Sequence, residues 1–346
     1  MSCTNMSTRT VVPSHNDDSD GFSTISPMLV LGGCGFLGSH IVDALIAENL
    51  MVFAASRKPH RHLNPTARYI TLDIHDKDAT VKNINVIKPC AIIHTISASP
   101  MASRATHRND YNATKNLLEI CHNAPFVKVF VYTSSAEAIA NSNGLHKIKE
   151  SQAILHTHST APNSYAEYKA LAEALTLTYN QPGICPFSQL CWTLAYSITA
   201  TSRHIRTSRW IQFGPNKSMN EWVYVENAAR AHTLATKALL QDEASGVAGE
   251  SFFVSDGEAI KFWDFARKLW AAAGDQSSSR AGNRIILPWA PVVALATVIE
   301  VLTLIFTFGS VNPPMSRHHL QYMRFGARWD IGKARERLQY EPLVHS

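Results

Sequence analysis

The residues best suited to chemistry are a tyrosine and a lysine four positions apart, Tyr165 and Lys169. On a helix predicted over Tyr165–Tyr179, this spacing puts both side chains on one face. A phenol with a pKa of about 10 is a weak base at neutral pH, and a nearby ammonium lowers that pKa because it stabilises the phenolate. Such a pair can accept a proton from an alcohol while hydride leaves the same carbon. Taken alone, the pair also fits a solvated helix surface.

A glycine turn near the start of the chain predicts a site for a dinucleotide. Three glycines, Gly32, Gly35 and Gly38, follow the apolar run Met28–Leu31 and open a helical pattern. The first glycine permits a tight turn, the second lets the backbone approach a pyrophosphate, and the third lets helix and strand pack closely. Free N–H groups at the helix start attract phosphate. We therefore expect cofactor contacts along this turn, at Gly32, Gly35, Phe36, Leu37 and Gly38.

The residues at the end of the second predicted strand indicate whether NAD or NADP binds. An acidic residue there selects NAD by bonding the adenosine ribose, but this slot holds Ser56, followed by Arg57. A hydroxyl beside a guanidinium suits a 2′-phosphate, because Arg binds phosphate in a charge-assisted fork. The sequence therefore favours NADP over NAD. The alternative is that Arg57 begins a solvated basic loop, and NAD stays open.

The elements that must position these residues alternate between strand and helix. Short apolar runs, often β-branched, are separated by helical segments, which is typical of a parallel sheet covered by helices on both faces. We predict an α/β, Rossmann-type doubly wound fold with a smaller C-terminal substrate lobe. The predicted strands of the first half are Met28–Leu31, Val52–Ala55, Tyr69–Leu72, Ala91–Ile96 and Phe126–Thr133.

The composition argues against nucleic-acid binding and against a metal site. The 346 residues carry a net charge of +5, and most basic residues are scattered, which does not indicate nucleic-acid binding. The cysteines form no C-x-x-C pair, and the histidines lack metal-ligand spacing, so we expect no metal. The expected divisions are a disordered polar tail over 1–26, a cofactor domain carrying the Tyr–Lys helix over 27–185, and a substrate lobe over 186–346.

Together these motifs resemble the extended short-chain dehydrogenases. Gly-Gly-Cys-Gly-Phe-Leu-Gly and Tyr-Ala-Glu-Tyr-Lys occur in the right order, and later blocks are similar to the 3β-hydroxysteroid dehydrogenase and sterol C4-carboxylate 3-dehydrogenase branch. Those blocks are Tyr224-Val-Glu-Asn-Ala-Ala-Arg-Ala-His232, Gly249–Glu258 with Phe262–Phe265, and Phe325–Pro342. The likeness spans about residues 27 to 343.

The resemblance implies further roles. It implies that Ser135 hydrogen-bonds the reacting oxygen, with Ser134 as the weaker candidate, and that Asp73 and Ile74 contact the adenine. Tyr165 and Lys169 would also contact the cofactor, Lys169 by holding the nicotinamide ribose. It implies an NAD(P)-dependent oxidoreductase that interconverts a 3β-hydroxyl and a 3-ketone on a sterol or polycyclic terpenoid, with decarboxylation where a C4 carboxylate is present. A secondary-metabolite pathway is favoured, because the stretch from residue 190 to 221 departs from the branch.

Alternatives stay open at this point. They are a dihydroflavonol-type reductase, a sugar-nucleotide epimerase, and a degenerate cofactor-binding protein without activity. Asp110 stands where the branch has Asn, and Tyr168 where it usually has Ser. A homodimer is also possible on the sequence alone.

An apolar stretch near the C-terminus raises the question of a membrane. Residues 286–308 carry Glu300 as their sole charge, and about seventeen apolar residues follow Pro291, near the lower limit for spanning hydrocarbon. We expect this segment to dip into or cross the endoplasmic-reticulum membrane from its cytosolic face, which suits a lipophilic substrate. The alternative is a buried helix in a cytoplasmic protein.

Overall fold

The computed structural model describes residues 26–141, 146–180, 187–192, 211–241, 246–272, 274, 285–308, 313 and 316–344, with 187–192 described as backbone. The predicted tail lies almost wholly outside the described residues, as does most of the atypical stretch that follows residue 192.

A seven-stranded parallel sheet forms the centre of the molecule. Its spatial order is β3-β2-β1-β4-β5-β6-β9, and every pairing in it is parallel. The strands are β1 (Met28–Leu31), β2 (Val52–Ser56), β3 (Arg68–Thr71), β4 (Ala91–His94), β5 (Val129–Thr133), β6 (Phe187–Trp192) and β9 (Ser251–Val254). All five predicted strands are confirmed, β1 with the predicted ends and the other four with an end that shifts by one to three residues.

Helices cover both faces of this sheet, which confirms the doubly wound fold. They are α1 (Phe36–Ala47), α2 (Lys77–Ile87), α3 (Arg104–His122), α4 (Ser164–Thr178), α5 (Val225–Gln241), α6 (Phe262–Ala272), α7 (Trp289–Thr307), α8 (Arg317–Phe325) and α9 (Gly332–Leu338). Helices α1 and α5 pack together on one face, and α3 and α4 pack together on the other. The central strands β1, β4 and β5 are mostly apolar because both of their faces are buried.

The strand order reverses between β1 and β4, and this reversal positions the site. From β1 the chain runs outward through β2 and β3, and then returns to β4 on the other side. The carboxyl ends of these two strands lie side by side, with Leu31 in register with His94. A crevice outside such a switch point is where open α/β sheets bind ligands.

The second half of the chain also belongs to the central sheet. Strand β6 pairs with β5, and β9 pairs with β6, so two of the seven strands come from residues beyond 185. The remaining strands form two small sheets. One pairs β8 (Met219–Glu221) with β10 (Ala259–Lys261), and the other pairs β7 (Ile211–Phe213) with β11 (Ile285–Leu287). The substrate lobe expected after residue 185 stays a prediction. The same part of the chain also contributes β6 and β9 to the cofactor-binding sheet.

The C-terminal apolar stretch is one strand and one helix. Its first residues form β11, and α7 begins at Trp289, directly after Pro288 at the N-cap. Pro291 lies in the first helical turn, where its missing N–H has no intrahelical partner to lose. Helix α7 packs against Leu320 and Met323 of α8.

The sequence blocks of the second half have structural roles around the end of β9. The Asn227 amide donates to Asp256 Oδ1 at 2.7 Å and to the Val344 carbonyl at 2.6 Å, and it accepts from the Leu343 N–H. Tyr340, fully buried, donates to the Ser255 carbonyl at 3.0 Å. These bonds fasten the C-terminal segment to the sheet.

Candidate active site

A cavity of about 1000 Å³ opens at the switch point, over the glycine turn. Gly32 has φ +87°, and a Cβ on it would lie 2.6 Å from Thr95 Oγ1. A Cβ on Gly38 would lie 2.1 Å from the Gly32 carbonyl oxygen. Gly35 caps α1 with no side-chain hydrogen bond, so the helix presents its first N–H groups uncapped. These features fit a bound pyrophosphate.

Of the cofactor contacts expected from the sequence, Tyr165 and Lys169 do not line this cavity, whereas the other nine do. These nine are Gly32, Gly35, Phe36, Leu37, Gly38, Ser56, Arg57, Asp73 and Ile74. Three further basic residues, to which the sequence analysis gave no role, line it as well: Lys58, His60 and Arg61. The cavity therefore has a basic end at the carboxyl terminus of β2, and the individual contacts remain predictions.

His75 bridges two carboxylates across the same cavity. Its Nδ1 lies 2.7 Å from Asp73 Oδ1, and its Nε2 lies 3.0 Å from Asp110 Oδ1. The other oxygen of Asp110 accepts from the Ala98 N–H at 2.6 Å. Burial raises the pKa of Asp73, but the hydrogen bonds and charge of His75 outweigh burial and leave that pKa below its usual value. Asp110 thus ties α3 to the loops after β3 and β4.

Helix α4 carries the tyrosine and the lysine. It begins after Asn163, whose Oδ1 accepts from the Ala166 N–H at 2.8 Å. The buried Lys169 ammonium donates to the Thr133 carbonyl at 2.9 Å and to the Tyr132 hydroxyl at 3.2 Å. Tyr165 is half-buried one turn earlier on the same face. The structure therefore confirms the helix and places the Lys169 side chain against the end of β5.

His107 supports Tyr165 from α3. The two rings meet edge to face with centroids 5.6 Å apart. His107 Nε2 lies 2.9 Å from the Ser99 carbonyl, which can only accept, so this nitrogen donates. Its Nδ1 lies 2.8 Å from Ser164 Oγ. The imidazole thereby joins the loop after β4 to the first turn of α4.

The last residues of β5 are each anchored by a different partner. Thr133 Oγ1 lies 2.8 Å from Nε2 of the buried His232, and Ser134 Oγ donates to Glu173 Oε2 at 2.5 Å. Burial raises the pKa of Glu173 to about 7 and lowers that of His232 to about 3. Ser134 is thus engaged away from the cleft. This favours Ser135 as the candidate hydroxyl, and its Oγ accepts from the Glu137 N–H at 3.2 Å.

The cavity beside the tyrosine and the lysine shares lining residues with the cofactor cavity. A small cavity beside Tyr165 and Lys169 is also lined by Ile96, Ser97 and Asp110. These last three residues line the large cavity too, so the two cavities adjoin. Within the described part of the chain, no group of three His, Cys, Asp or Glu side chains is placed to hold a metal ion.

Comparison with known proteins settles the family. The sequence matches the 3-beta hydroxysteroid dehydrogenase/isomerase family over residues 29–285. The chain belongs to this family. It is 34% identical to the decarboxylating sterol-4-alpha-carboxylate 3-dehydrogenase of Gibberella zeae, over 74% of this chain and 87% of that one. It is 31% identical to the enzyme of the same name from Schizosaccharomyces pombe, over 92% and 94%.

Solved structures show the same fold in nucleotide-sugar enzymes. The UDP-glucose 4-epimerase of Thermotoga maritima superimposes with a TM-score of 0.64 at 20% identity, over 92% of this chain and 94% of that one. The dTDP-glucose 4,6-dehydratase of Streptomyces venezuelae, with NAD bound, gives 0.66 at 18%, over 92% of each chain. At these identities the likeness extends to the fold alone.

These findings confirm the family and enzyme class expected from the sequence, an NAD(P)-dependent oxidoreductase acting on a CH–OH group. Sequence reasoning missed the residues that brace the site, His75, His107, Glu173 and Glu137. Of these, Glu173 carried a signal: it lies four and eight residues after Lys169 and Tyr165, on one helical face.

Proposed function

We propose that this protein oxidises the 3β-hydroxyl of a sterol or polycyclic terpenoid to the 3-ketone. The observation that carries the proposal is the placement of Tyr165 and Lys169 in a small cavity that adjoins the dinucleotide cavity. The names of the relatives support a substrate that carries a carboxylate at C4. Its oxidation gives a β-keto acid, which loses carbon dioxide readily.

In this mechanism the tyrosine is the proton acceptor. The Lys169 ammonium is fixed by β5 and stabilises the phenolate of Tyr165 by its charge. His94, buried nearby, stays neutral because burial lowers its pKa to about 3. Ser135 would hold the substrate oxygen, and Tyr165 would take its proton. The dinucleotide, when bound, supplies the hydride acceptor.

The basic end of the cofactor cavity favours NADP. Ser56 ends β2 and leaves no carboxylate at that strand end to repel a 2′-phosphate, and Arg57 follows it along the cavity wall. Lys58 and Arg61 add positive charge to the same wall. A guanidinium binds phosphate in a fork that a ribose hydroxyl cannot reproduce.

Helix α7 supports attachment to the endoplasmic-reticulum membrane. Among the described helices it alone is long and apolar enough to cross a membrane. Only Val292 and Ala296 on it are buried, while Leu304 is 61% and Phe306 78% exposed. An exposed apolar face of this kind is rare on soluble monomers.

The one charged residue on α7, Glu300, has a partner that lowers the free-energy cost of placing it in lipid. Glu300 accepts from the Arg317 backbone N–H at 2.5 Å and from its Nε at 2.6 Å. A paired carboxylate is less costly in hydrocarbon than an isolated one. The same helix lines a cavity of about 460 Å³ together with Asn163, at the start of α4. A lipophilic substrate therefore has a short route from the membrane to Tyr165.

The test is oxidation of a 3β-hydroxy-4-carboxy sterol by the full chain in detergent, followed by absorbance of the reduced cofactor. We expect turnover by the wild type, and a loss of about 10² or more in Tyr165→Phe with cofactor affinity unchanged. Tyr168→Phe, which alters a neighbouring phenol on the same helix, is the matched control. Near-normal turnover by Tyr165→Phe would contradict the mechanism, and no turnover with any 3β-hydroxy polycycle would contradict the function.

A further inference from the structure

One side of helix α7 is exposed and apolar along the whole length of the helix. Every exposed residue of α7 has an apolar side chain. The polar side chains of the helix are all partly buried; they are Thr297, Glu300, Thr303 and Thr307. We call the exposed side the outer face, and its most exposed members are Leu295, Val298, Leu304, Ile305 and Phe306. At about 100° per residue, these positions cover about half of the circumference of the helix.

Both ends of α7 are attached to the same body of the protein. Before the helix, β11 pairs with β7, and Phe213 of β7 packs in one cluster with the buried Trp222. After the helix, the chain returns to β8, where the Ala327 carbonyl accepts from the Glu221 N–H at 3.0 Å. A helix that crosses a bilayer once leaves its two ends on opposite sides. Helix α7 therefore does not cross the membrane while these contacts hold.

Helix α8 lies along the inner side of α7 and is too polar for hydrocarbon. Leu320 of α8 packs against Val292 and Ala296, and Arg317 binds the Glu300 carboxylate through its backbone N–H and its Nε. Four of the nine residues of α8 are basic: Arg317, His318, His319 and Arg324. A crossing α7 would carry these side chains to the depth of the acyl chains, where unpaired polar groups are costly.

We propose that α7 is a monotopic anchor, which lies in the plane of the cytosolic leaflet with its outer face among the acyl chains and both ends on the cytosolic side. This inference rests on the membrane attachment given in the proposed function. Amphipathic helices bound in this way sink about 5–10 Å into the boundary between headgroups and acyl chains. In this orientation α8 stays on the protein side of α7, away from the hydrocarbon.

Lipid fits the outer face better than a second protein chain does. A helix that packs on one partner uses an apolar stripe of about 100°, whereas the outer face covers about half of the circumference. One packed helix would leave part of that face in water, but fluid acyl chains cover all of it. The face also continues past the helix to Phe308, which is 95% exposed, and no charged side chain interrupts it.

The orientation also connects the membrane to a cavity of the protein. Val301 and Leu304 belong to the outer face, and both line the cavity of about 460 Å³ that Asn163 lines at the start of α4. A lipophilic substrate can therefore pass from the acyl chains into this cavity along one apolar wall.

The first experiment asks on which side of the membrane the two chain ends lie. The full chain, with an epitope tag at each end, is bound to sealed endoplasmic-reticulum microsomes and treated with protease. We expect both tags to be removed while the membrane is intact. One tag protected until detergent is added would overturn the in-plane orientation. A chain that does not sediment with the microsomes would refute membrane attachment itself, and turnover in detergent tests the proposed oxidation separately.

The second experiment compares charges along the outer face. Leu295→Asp, Val298→Asp and Ile305→Asp alter the first, middle and last parts of α7, at positions that are 53–57% exposed. Because an in-plane helix holds all three at one depth, each should weaken flotation of the full chain with phosphatidylcholine vesicles about tenfold or more. Val86→Asp, at an exposed position of α2, is the matched control and should float as the wild type does.

Three results of this comparison would overturn the proposal. A loss confined to Val298→Asp would indicate a helix that crosses the membrane, because charges near the ends of such a helix reach the surface. Flotation of all three variants like the wild type would show that lipid does not cover the outer face. Dimers of the wild type that persist in detergent and are lost in the three variants would assign the face to a second copy of the chain.

Discussion

Replacing the buried Glu173 by glutamine should change how stability depends on pH. Burial raises the pKa of this carboxyl from 4.5 to about 7 on folding. A carboxyl with a raised pKa stabilises the folded state fully below pH 4.5, and this contribution is lost as the pH rises through 7. This rise in pKa, at about 1.4 kcal/mol for each tenfold change in proton affinity, amounts to about 3.5 kcal/mol over the whole pH range. Glutamine carries no charge at any pH, and its carbonyl can still accept from Ser134.

The assay is urea unfolding of the full chain in detergent at several pH values between 5 and 8, followed by fluorescence of the buried Trp222 and Trp329. The stability of Glu173→Gln relative to the wild type should rise with pH by up to about 3 kcal/mol. Glu48→Gln, which alters an exposed carboxylate paired with Lys237, is the control and should run parallel to the wild type. A difference between Glu173→Gln and wild type that stays constant from pH 5 to pH 8 would refute the reasoning.

Three further predictions concern the cofactor and the membrane. Arg57→Ala should weaken binding of NADPH about tenfold or more and spare NADH, measured by fluorescence titration; equal losses for both would show that the guanidinium does not meet a 2′-phosphate. Gly38→Ala should abolish binding of both cofactors in the same titration, because a Cβ at 38 would lie 2.1 Å from the Gly32 carbonyl oxygen; unchanged binding would contradict the close approach of this turn to the pyrophosphate. Deletion of Val292–Phe308 should release the protein from microsomal membranes that the full chain binds even in high salt; a full chain found in the soluble fraction would refute membrane attachment.

Local patterns in the sequence were enough to predict the first strands and the helix of the tyrosine. The run Met28–Leu31 is apolar because both faces of β1 are buried, and glycines end it, so its boundaries were visible. The predicted strand Ala91–Ile96 ends earlier, at His94. The reason is that Thr95 turns away and donates to the Leu31 carbonyl with both its N–H and its hydroxyl, a contact between distant residues.

The hydrogen-bond partners of the groups that brace the site could not be predicted for the same reason, although the helical face of Glu173 could be. Ser134 and Glu173 are 39 residues apart, and Thr133 and His232 are 99 apart. No periodicity in the sequence marks such pairs, because the packing of α4 and α5 against β5 brings them together. The glycine turn, by contrast, needs few long-range contacts to form its shape, and all of its predicted residues line one cavity.

The interleaved sheet has a consequence for how the chain is made. Strand β5 gains its outer neighbour only when β6 arrives, and β6 in turn awaits β9, at residues 251–254. During synthesis the ribosome must therefore release about three quarters of the chain before the dinucleotide half can close its sheet. Until then an apolar strand edge lies bare, and edges of this kind invite pairing with other chains. A nascent chain whose exposed apolar helix α7 is still to come would benefit from a chaperone that shields this edge.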